Sequence, residues 1–485
     1  MQIRLIGVMA ASVLGISACS QSSMPTNTAS TSTVTQKNVI LFLGDGYGIV
    51  PMTAARIYAV GEEGELAIDQ FPESAFVKTF SNDAQVTDSA PSMAAYMTGV
   101  KANNEVISMS ADTSAVDAAG KAYLNGADST CPTTGNGAPV TTLLEMAKTA
   151  GRGTAVVTTT RVTHATPAAT YSHVCHRDGE NTIANQLIPG GAGFNAALGT
   201  DGVDVVLGGG WQHFLPKGAA DGSSRSDTRD LTAELKARGY SYVNSKAGLD
   251  GVAATTTKLV GLFNKSHMNF DLDRDPAKEP SLTEMATKAL DIVSKNPKGF
   301  FMMVEGGRID QALHPTLARK ALQDAKAFDD AIKATIAKVK IFDPEMKNTL
   351  IVVTADHDHT MVMNGYAART GATTDANPGI LGLMRSFTDP TKPALDADGK
   401  PFTTLVFGNG ENRVNANRST TTALTDAAVF DKNYHQEAAV RTAAGNETHG
   451  GADVFLGAMG LGADAFHGTL DNTQVFGLMK SAFGL

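Results

Sequence analysis

Residues 38–46 read Asn-Val-Ile-Leu-Phe-Leu-Gly-Asp-Gly, an unbroken apolar run that closes on a carboxylate between two glycines. Runs of the same kind recur at 155–160, 203–207, 300–304 and 349–354, most of them ending in glycine or polar residues. Helix-like stretches lie between them, at 140–150, 281–294 and 319–339. Strands alternating with helices predict an α/β fold, with a central, mostly parallel sheet flanked by helices on both faces. Such a sheet carries its functional groups outside the carboxyl ends of its strands. No internal repeat is visible. Residues 364–447 are richer in Gly, Thr, Asn and Asp and weaker in pattern, and are expected to form an accessory insertion.

The chain has 485 residues, 42% of them hydrophobic and 18% charged, the balance of a globular protein with a large core. Its net charge of −9 argues against a general nucleic-acid binder, which needs a basic face to neutralise phosphates. A small anionic substrate stays open, because bound metals reverse the local field. Residues 1–18 set one Arg before a short apolar run that ends in small residues, the pattern of a signal peptide and too short for a stable membrane span. Ile16-Ser17-Ala18-Cys19 resembles a bacterial lipobox, so Cys19 is the expected lipidation site. The expected product is a lipoprotein outside the inner membrane, facing the periplasm or held at the outer membrane. Residues 19–36 are rich in Ser and Thr and are expected to be a disordered tether, leaving 37–485 as the folded domain. Cys131 and Cys175 can pair in an oxidising compartment, although nothing in the sequence brings them together.

The polar residues after the apolar runs carry the chemistry. Asp45 follows the first, and Glu305, Asp310 and His314 follow the run at 300–304. Asp356-His357-Asp358-His359 follows the run at 349–354, and His449 lies in Thr448-His449-Gly450-Gly451 near the end. Asp, Glu and His at successive strand ends are what a polynuclear metal site needs, since zinc takes imidazole and carboxylate and magnesium prefers oxygen. Each residue alone has a plainer reading. Asp45 serves as a turn residue, Asp310 and His314 as a helix-surface pair, and the Asp-His run as an exposed polar turn. The argument rests on the set and its positions. Asp88-Ser89 stands where a helix should begin, with Pro91 in its first turn. Either residue would serve as an N-cap. The same place would also aim the Ser89 oxygen at free amides, a site suited to phosphate.

Six motifs occur together, and in one order they resemble the alkaline phosphatase family. They are Asn38 to Gly46, Thr87-Asp-Ser-Ala90, Thr158-Thr-Thr-Arg-Val-Thr-His-Ala-Thr-Pro167, Val304-Glu-Gly-Gly-Arg-Ile-Asp310, Thr354-Ala-Asp-His357 and Thr448-His449. The resemblance runs from about Lys37 to the C-terminus. It implies a phosphomonoesterase with two zinc ions and one magnesium ion, acting on small-molecule phosphate monoesters. Ser89 matches the nucleophile that becomes phosphorylated. Asp310, His314 and His449 match the ligands of one zinc, and Asp356, His357 and Asp45 those of the second. Asp45 would also reach the magnesium site, completed by Thr166 and Glu305. Arg177, in Ser172-His-Val-Cys-His-Arg177, matches the arginine that grips phosphate. Family members are commonly homodimers, which leaves a homodimer open for this chain, although no interface can be read from the sequence.

Two positions depart from the best-known bacterial enzyme. His164 stands where that enzyme has Asp, as in animal members, and is expected either to support the third site from behind its ligands or to change its metal preference. Gln311 stands where bacterial members often carry Lys and animal ones His, so a cation near the phosphate is lost. The calcium site of animal members is doubtful here, because Asn264 replaces a carboxylate and leaves only Glu279. Competing readings are a phosphodiesterase of the same superfamily or a non-catalytic surface protein that kept the fold. A sulfatase is disfavoured because the Ser89 segment lacks the Arg of the sulfatase signature.

Overall fold

The computed structural model describes residues 36–413 and 416–485. The expected signal peptide, Cys19 and the tether up to residue 35 lie outside the described residues. Among the described residues no helix is long and apolar enough to cross a membrane.

Ten strands form one sheet: β1 (Asn38–Gly44), β2 (Glu73–Lys78), β3 (Gly153–Arg161), β4 (Val205–Gly209), β5 (Ser241–Val243), β6 (Leu259–Leu262), β7 (Phe300–Gly306), β8 (Thr349–Ala355), β9 (Val454–Gly460) and β10 (Gly468–Asp471). Their spatial order is β10-β2-β9-β8-β1-β7-β3-β4-β6-β5. Neighbours run parallel, except that β9 is antiparallel to both β8 and β2. Every residue of β1, β7 and β8 is buried. A parallel strand covered on both faces has no solvent side for polar residues, which is why these segments read as unbroken apolar runs. In β2, by contrast, buried and exposed residues mostly alternate, so it shows no such run.

The helices flank the sheet in two packed groups. In one, α1 (Ile49–Val60) and α4 (Leu282–Val293) pack on α6 (Ala318–Phe342); in the other, α2 (Ser89–Thr98) packs on α7 (Asn472–Phe483). α3 (Leu143–Thr149) and α4 start at reciprocal caps, Thr142 with Glu145 and Ser281 with Glu284, which satisfy amides that the helix leaves unpaired. The segment 364–447 runs outside the main sheet. Its strands Leu405–Gly410 and Ala438–Arg441 join Met361–Met363 in a separate three-stranded sheet. Arg319 of α6 ties this lobe down by lying over the Phe430 ring and donating to the Phe430 carbonyl at 2.7 Å.

The register of the middle strands places the site. Gly44 stands opposite both Ala355 and Gly306, so β1, β7 and β8 end level, and Thr158 of β3 stands opposite Glu305.

Candidate metal centre

Asp45, Glu305 and Asp356 therefore emerge side by side. The chain turns at Gly46 with φ of +65°, and a Cβ there would lie 2.5 Å from the His359 ring, so the turn requires glycine. Helix α5 (Arg308–Leu313) follows β7 and presents Asp310, with His314 at its end.

In the first group, Asp310, His314, His359 and His449 bring their donor atoms within 4.8 Å of one another. His314 Nε2 lies 3.2 Å and His449 Nε2 3.5 Å from Asp310 Oδ1. Their Nδ1 atoms face backbone carbonyls, His314 that of Glu447 at 2.6 Å and His449 that of Thr87 at 2.8 Å. A carbonyl only accepts, so Nδ1 carries the proton and Nε2 is left with a lone pair for a metal. His359 is different. Its ring lies between two carboxylates, Nδ1 at 2.5 Å from Glu447 and Nε2 at 2.8 Å from Asp310. Burial opposes its charge, but Glu447 and Asp310 outweigh that and hold its pKa up at about 10. Both nitrogens of His359 are thus engaged by carboxylates, which holds the ring against Asp310 and fixes that carboxylate's rotamer.

The second group is Asp45, Asp356 and His357, all fully buried. His357 Nε2 lies 3.2 Å from Asp45 Oδ1 and 3.5 Å from Asp356 Oδ2. Asp356 Oδ1 accepts from the amides of Gly46 and His357, at 3.0 and 3.1 Å, which leaves Oδ2 turned to the site. The rings of His357 and His449 stack with centroids 3.5 Å apart, joining this group to the first.

The third group joins Asp45, His164 and Glu305. Thr158 and Thr160 donate to Glu305 Oε2. Asp45 Oδ2, Asp356 Oδ2, Glu305 Oε1 and Thr166 Oγ1 are buried with no hydrogen-bond partner among the described residues. Buried polar atoms are seldom left in this state, and these are the atoms that divalent cations would complete. Charge gives the same answer. Burial, reinforced by Asp310, Asp356 and Glu305, pushes the Asp45 carboxyl well up, while burial raises Glu305 to about 7 and Asp356 to about 6. Carboxylates this crowded stay ionised only with cations among them. The first two groups offer nitrogen and carboxylate and suit zinc, and the oxygen atoms of the third suit magnesium.

Asp88 and Ser89 divide the two roles left open by sequence. Asp88 is the N-cap of α2 and accepts from Ala90 N at 2.7 Å. Ser89 is therefore free of capping, and its Oγ lies 3.3 Å from Asp45 Oδ1 and 3.2 Å from His357 Nε2. The Asp88 carboxylate also takes Arg177 Nη1 at 3.1 Å and the Glu105 amide. Arg177 Nη2 lies 3.0 Å from His164 Nε2. Because guanidinium only donates, His164 Nε2 accepts and its Nδ1 carries the proton, buried and with no hydrogen-bond partner among the described residues.

Gln311 turns its Oε1 to Arg308 and its Nε2 to His267, 3.1 Å away. On this side stand Arg308, bonded to Gln311, and Arg161, in contact with His267 and Glu180. At the position that differs from animal members, Asn264 donates to Glu279 at 3.2 Å, and Asn269 donates twice more, at 2.7 and 2.9 Å. Amides thus supply the Glu279 carboxylate with what a cation would. Glu105, His176 and Asp178 form a further loose group beside Arg177. Cys131 and Cys175 are joined in a disulfide, Cα atoms 5.8 Å apart. Sequence reading assigned no role to His359, Glu447, Thr158 or Thr160. The signals are present in Asp356-His-Asp-His359 and in Glu447-Thr-His449, where a carboxylate and an imidazole accompany candidate ligands.

A sequence model described as alkaline phosphatase matches residues 36–485. The chain belongs to the alkaline phosphatase family. As a member it is a phosphomonoesterase that works with zinc and magnesium. The enzyme is 36% identical over 474 residues to the tissue-nonspecific alkaline phosphatase isozyme of Homo sapiens, covering 92% of this chain and 83% of that one. It is 35% identical over 466 residues to the alkaline phosphatase of Gadus morhua, with 90% of each covered. Among solved structures, the alkaline phosphatase of Thermus thermophilus superposes with a TM-score of 0.64 at 24% identity, covering 96% of both chains. That of the Antarctic bacterium TAB5 gives 0.61 at 23% identity, covering 93% of this chain and 98% of its own. These two show that the fold is shared.

Proposed function

We propose that Ser89 is the nucleophile of a two-step hydrolysis of phosphate monoesters, and that its placement carries the reading. Its Oγ sits buried between Asp45 and His357, freed from capping by Asp88. Asp310, His314 and His449 would hold one zinc, Asp45, Asp356 and His357 the other, and Asp45, Thr166 and Glu305 a magnesium ion. Bound there, such ions supply Lewis acidity, lowering the pKa of a coordinated hydroxyl and compensating charge on the attacking and leaving oxygens.

Ser89 Oγ attacks phosphorus in line, the P–O bond to the alcohol breaks, and phosphoserine remains. Water then attacks the same phosphorus from the side the alcohol left, which frees phosphate and restores the serine. The transition state is loose, so holding the phosphoryl oxygens matters more than bond-making by the protein. Arg177 is suited to that task. Asp88 takes one of its amino groups and His164 lies against the other, aiming the planar fork at two non-bridging oxygens. A monoester offers three non-bridging oxygens and a diester only two, so a diester cannot fill the Arg177 fork and also present an oxygen to the metal groups, which favours monoesters. The enzyme is further proposed to be a homodimer lipidated at Cys19 and to release phosphate outside the inner membrane.

Acid quenching of the metal-loaded enzyme during turnover of a chromogenic monoester tests the reading. A phosphoryl adduct on Ser89 is expected, with monoester rates far above diester rates. Ser89→Ala should lose the adduct and nearly all turnover while keeping its zinc. Full turnover in that variant refutes the assignment.

A further inference from the structure

Arg177 sits in an irregular connection, 169–179, between the short helices Ala165–Ala168 and Glu180–Gln186. No regular element holds it, although a phosphate-binding fork must be placed to a fraction of an ångström. The structure shows what holds it instead. Residues 175–179 form a strap pinned at both ends to the hairpin Leu124–Asn125/Asp128–Ser129 and the residues just after it. At one end Cys175 is bonded to Cys131, and its amide faces the Cys131 sulfur at 3.0 Å. Beyond the other end the Asn181 amide donates to the Ala127 carbonyl at 2.9 Å, and Thr182 Oγ1 takes the Ser129 amide at 2.9 Å. Between the pins Arg177 N donates to the Glu105 carbonyl at 2.7 Å, and just before the first pin Val174 and Ile107 exchange amide bonds of 3.0 and 3.2 Å. Cys175 is fully buried and stands two residues before Arg177, so motion at that pin passes to the guanidinium through a very short lever.

We propose that the Cys131–Cys175 disulfide is a positioning device for phosphate binding, acting through Arg177. This rests on the reading of Arg177 as the phosphate-gripping residue. The hydrogen bonds at the far pin and at Glu105 tether the strap without the disulfide, so its loss should loosen Arg177 and leave the metal groups on the strand ends untouched. A fork that keeps its charge but loses its alignment gives up about one hydrogen bond to a charged group, which is roughly tenfold in phosphate affinity.

The test measures the inhibition constant of inorganic phosphate, KM, kcat and zinc content for Cys131→Ser and Cys175→Ser, each alone and combined with Arg177→Ala. The expected result is a higher phosphate inhibition constant and KM in both cysteine variants, with zinc unchanged and kcat changed less. In the Arg177→Ala background the cysteine changes should add nothing, since their effect runs through a side chain already removed. An unchanged inhibition constant, or a rise of equal size without Arg177, overturns the proposal. An Arg177→Ala enzyme that itself binds phosphate normally overturns instead the reading of Arg177. Should the cysteine variants fail to fold, the folded, metal-loaded enzyme is reduced with a phosphine. Weakened phosphate binding that returns on reoxidation supports the proposal, and unchanged binding in the reduced enzyme refutes it.

Discussion

Replacing Asp324 with asparagine is expected to make the enzyme more stable at alkaline pH and to leave it nearly unchanged in acid. Asp324 lies on α6 and is 6% exposed. Among the described residues its only hydrogen-bond donor is the Asp271 amide, at 3.2 Å from one oxygen and 3.4 Å from the other. Burial, helped by the Asp271 charge and opposed by Arg308, pushes its pKa up to about 8. The folded protein therefore keeps this proton up to about pH 8, whereas the unfolded chain loses it near 3.8. Between those limits the unfolded state binds fewer protons, so stability falls as pH rises, by about 1.4 kcal/mol per pH unit. The ceiling over the whole window is about 6 kcal/mol, and relaxation around a buried charge should reduce it to about 3 kcal/mol. Asparagine has the shape of the protonated acid and keeps an acceptor for the Asp271 amide, but has nothing to titrate. Urea unfolding of metal-loaded wild type and Asp324→Asn, at about pH 5, 7 and 9, reads the difference. The variant's advantage should grow up to about pH 8 and level off above it. A variant that is less stable at every pH refutes the reasoning, because Asp324 would then be ionised and paired with Arg308.

Asp88→Ala should destabilise the protein by about 1 kcal/mol through the lost N-cap, whereas Asp88→Asn should keep the cap. Chemical denaturation of the two separates capping from the hold on Arg177. Glu447→Gln strips His359 of one of its two carboxylates and should cost about 3–5 kcal/mol as a broken buried pair. Calorimetry, with zinc analysis after limited chelation, should show lower stability and faster loss of zinc. Cys19→Ser should move the protein from the membrane to the soluble fraction of cells, and continued detergent-dependent retention would reject lipid anchoring.

The parts of the fold written as unbroken apolar runs were legible because burial on both faces leaves a strand no polar positions. β2 and the edge strand β10 were not, since half-exposed strands at this end of the sheet offer short alternations that many loops share. The same distinction governs the site. Asp45, Glu305 and Asp356 could be read because each follows a readable strand, and the parallel register then forces them together. His359 could not be assigned from its letter. The same imidazole keeps an Nε2 lone pair when a carbonyl takes its Nδ1 proton, as at His314 and His449, and has both nitrogens engaged when a carboxylate faces each. Glu447 decides between these outcomes from 88 residues away in the chain. Asp88 and Ser89 pose the problem at its smallest scale. Both are good caps, and only the start of α2 at Ser89 hands the cap to Asp88 and leaves the serine oxygen free for chemistry. What the sequence withheld was thus the partner of each polar atom, and the partner determines whether a side chain keeps a free lone pair, holds a neighbour in place or is left uncapped.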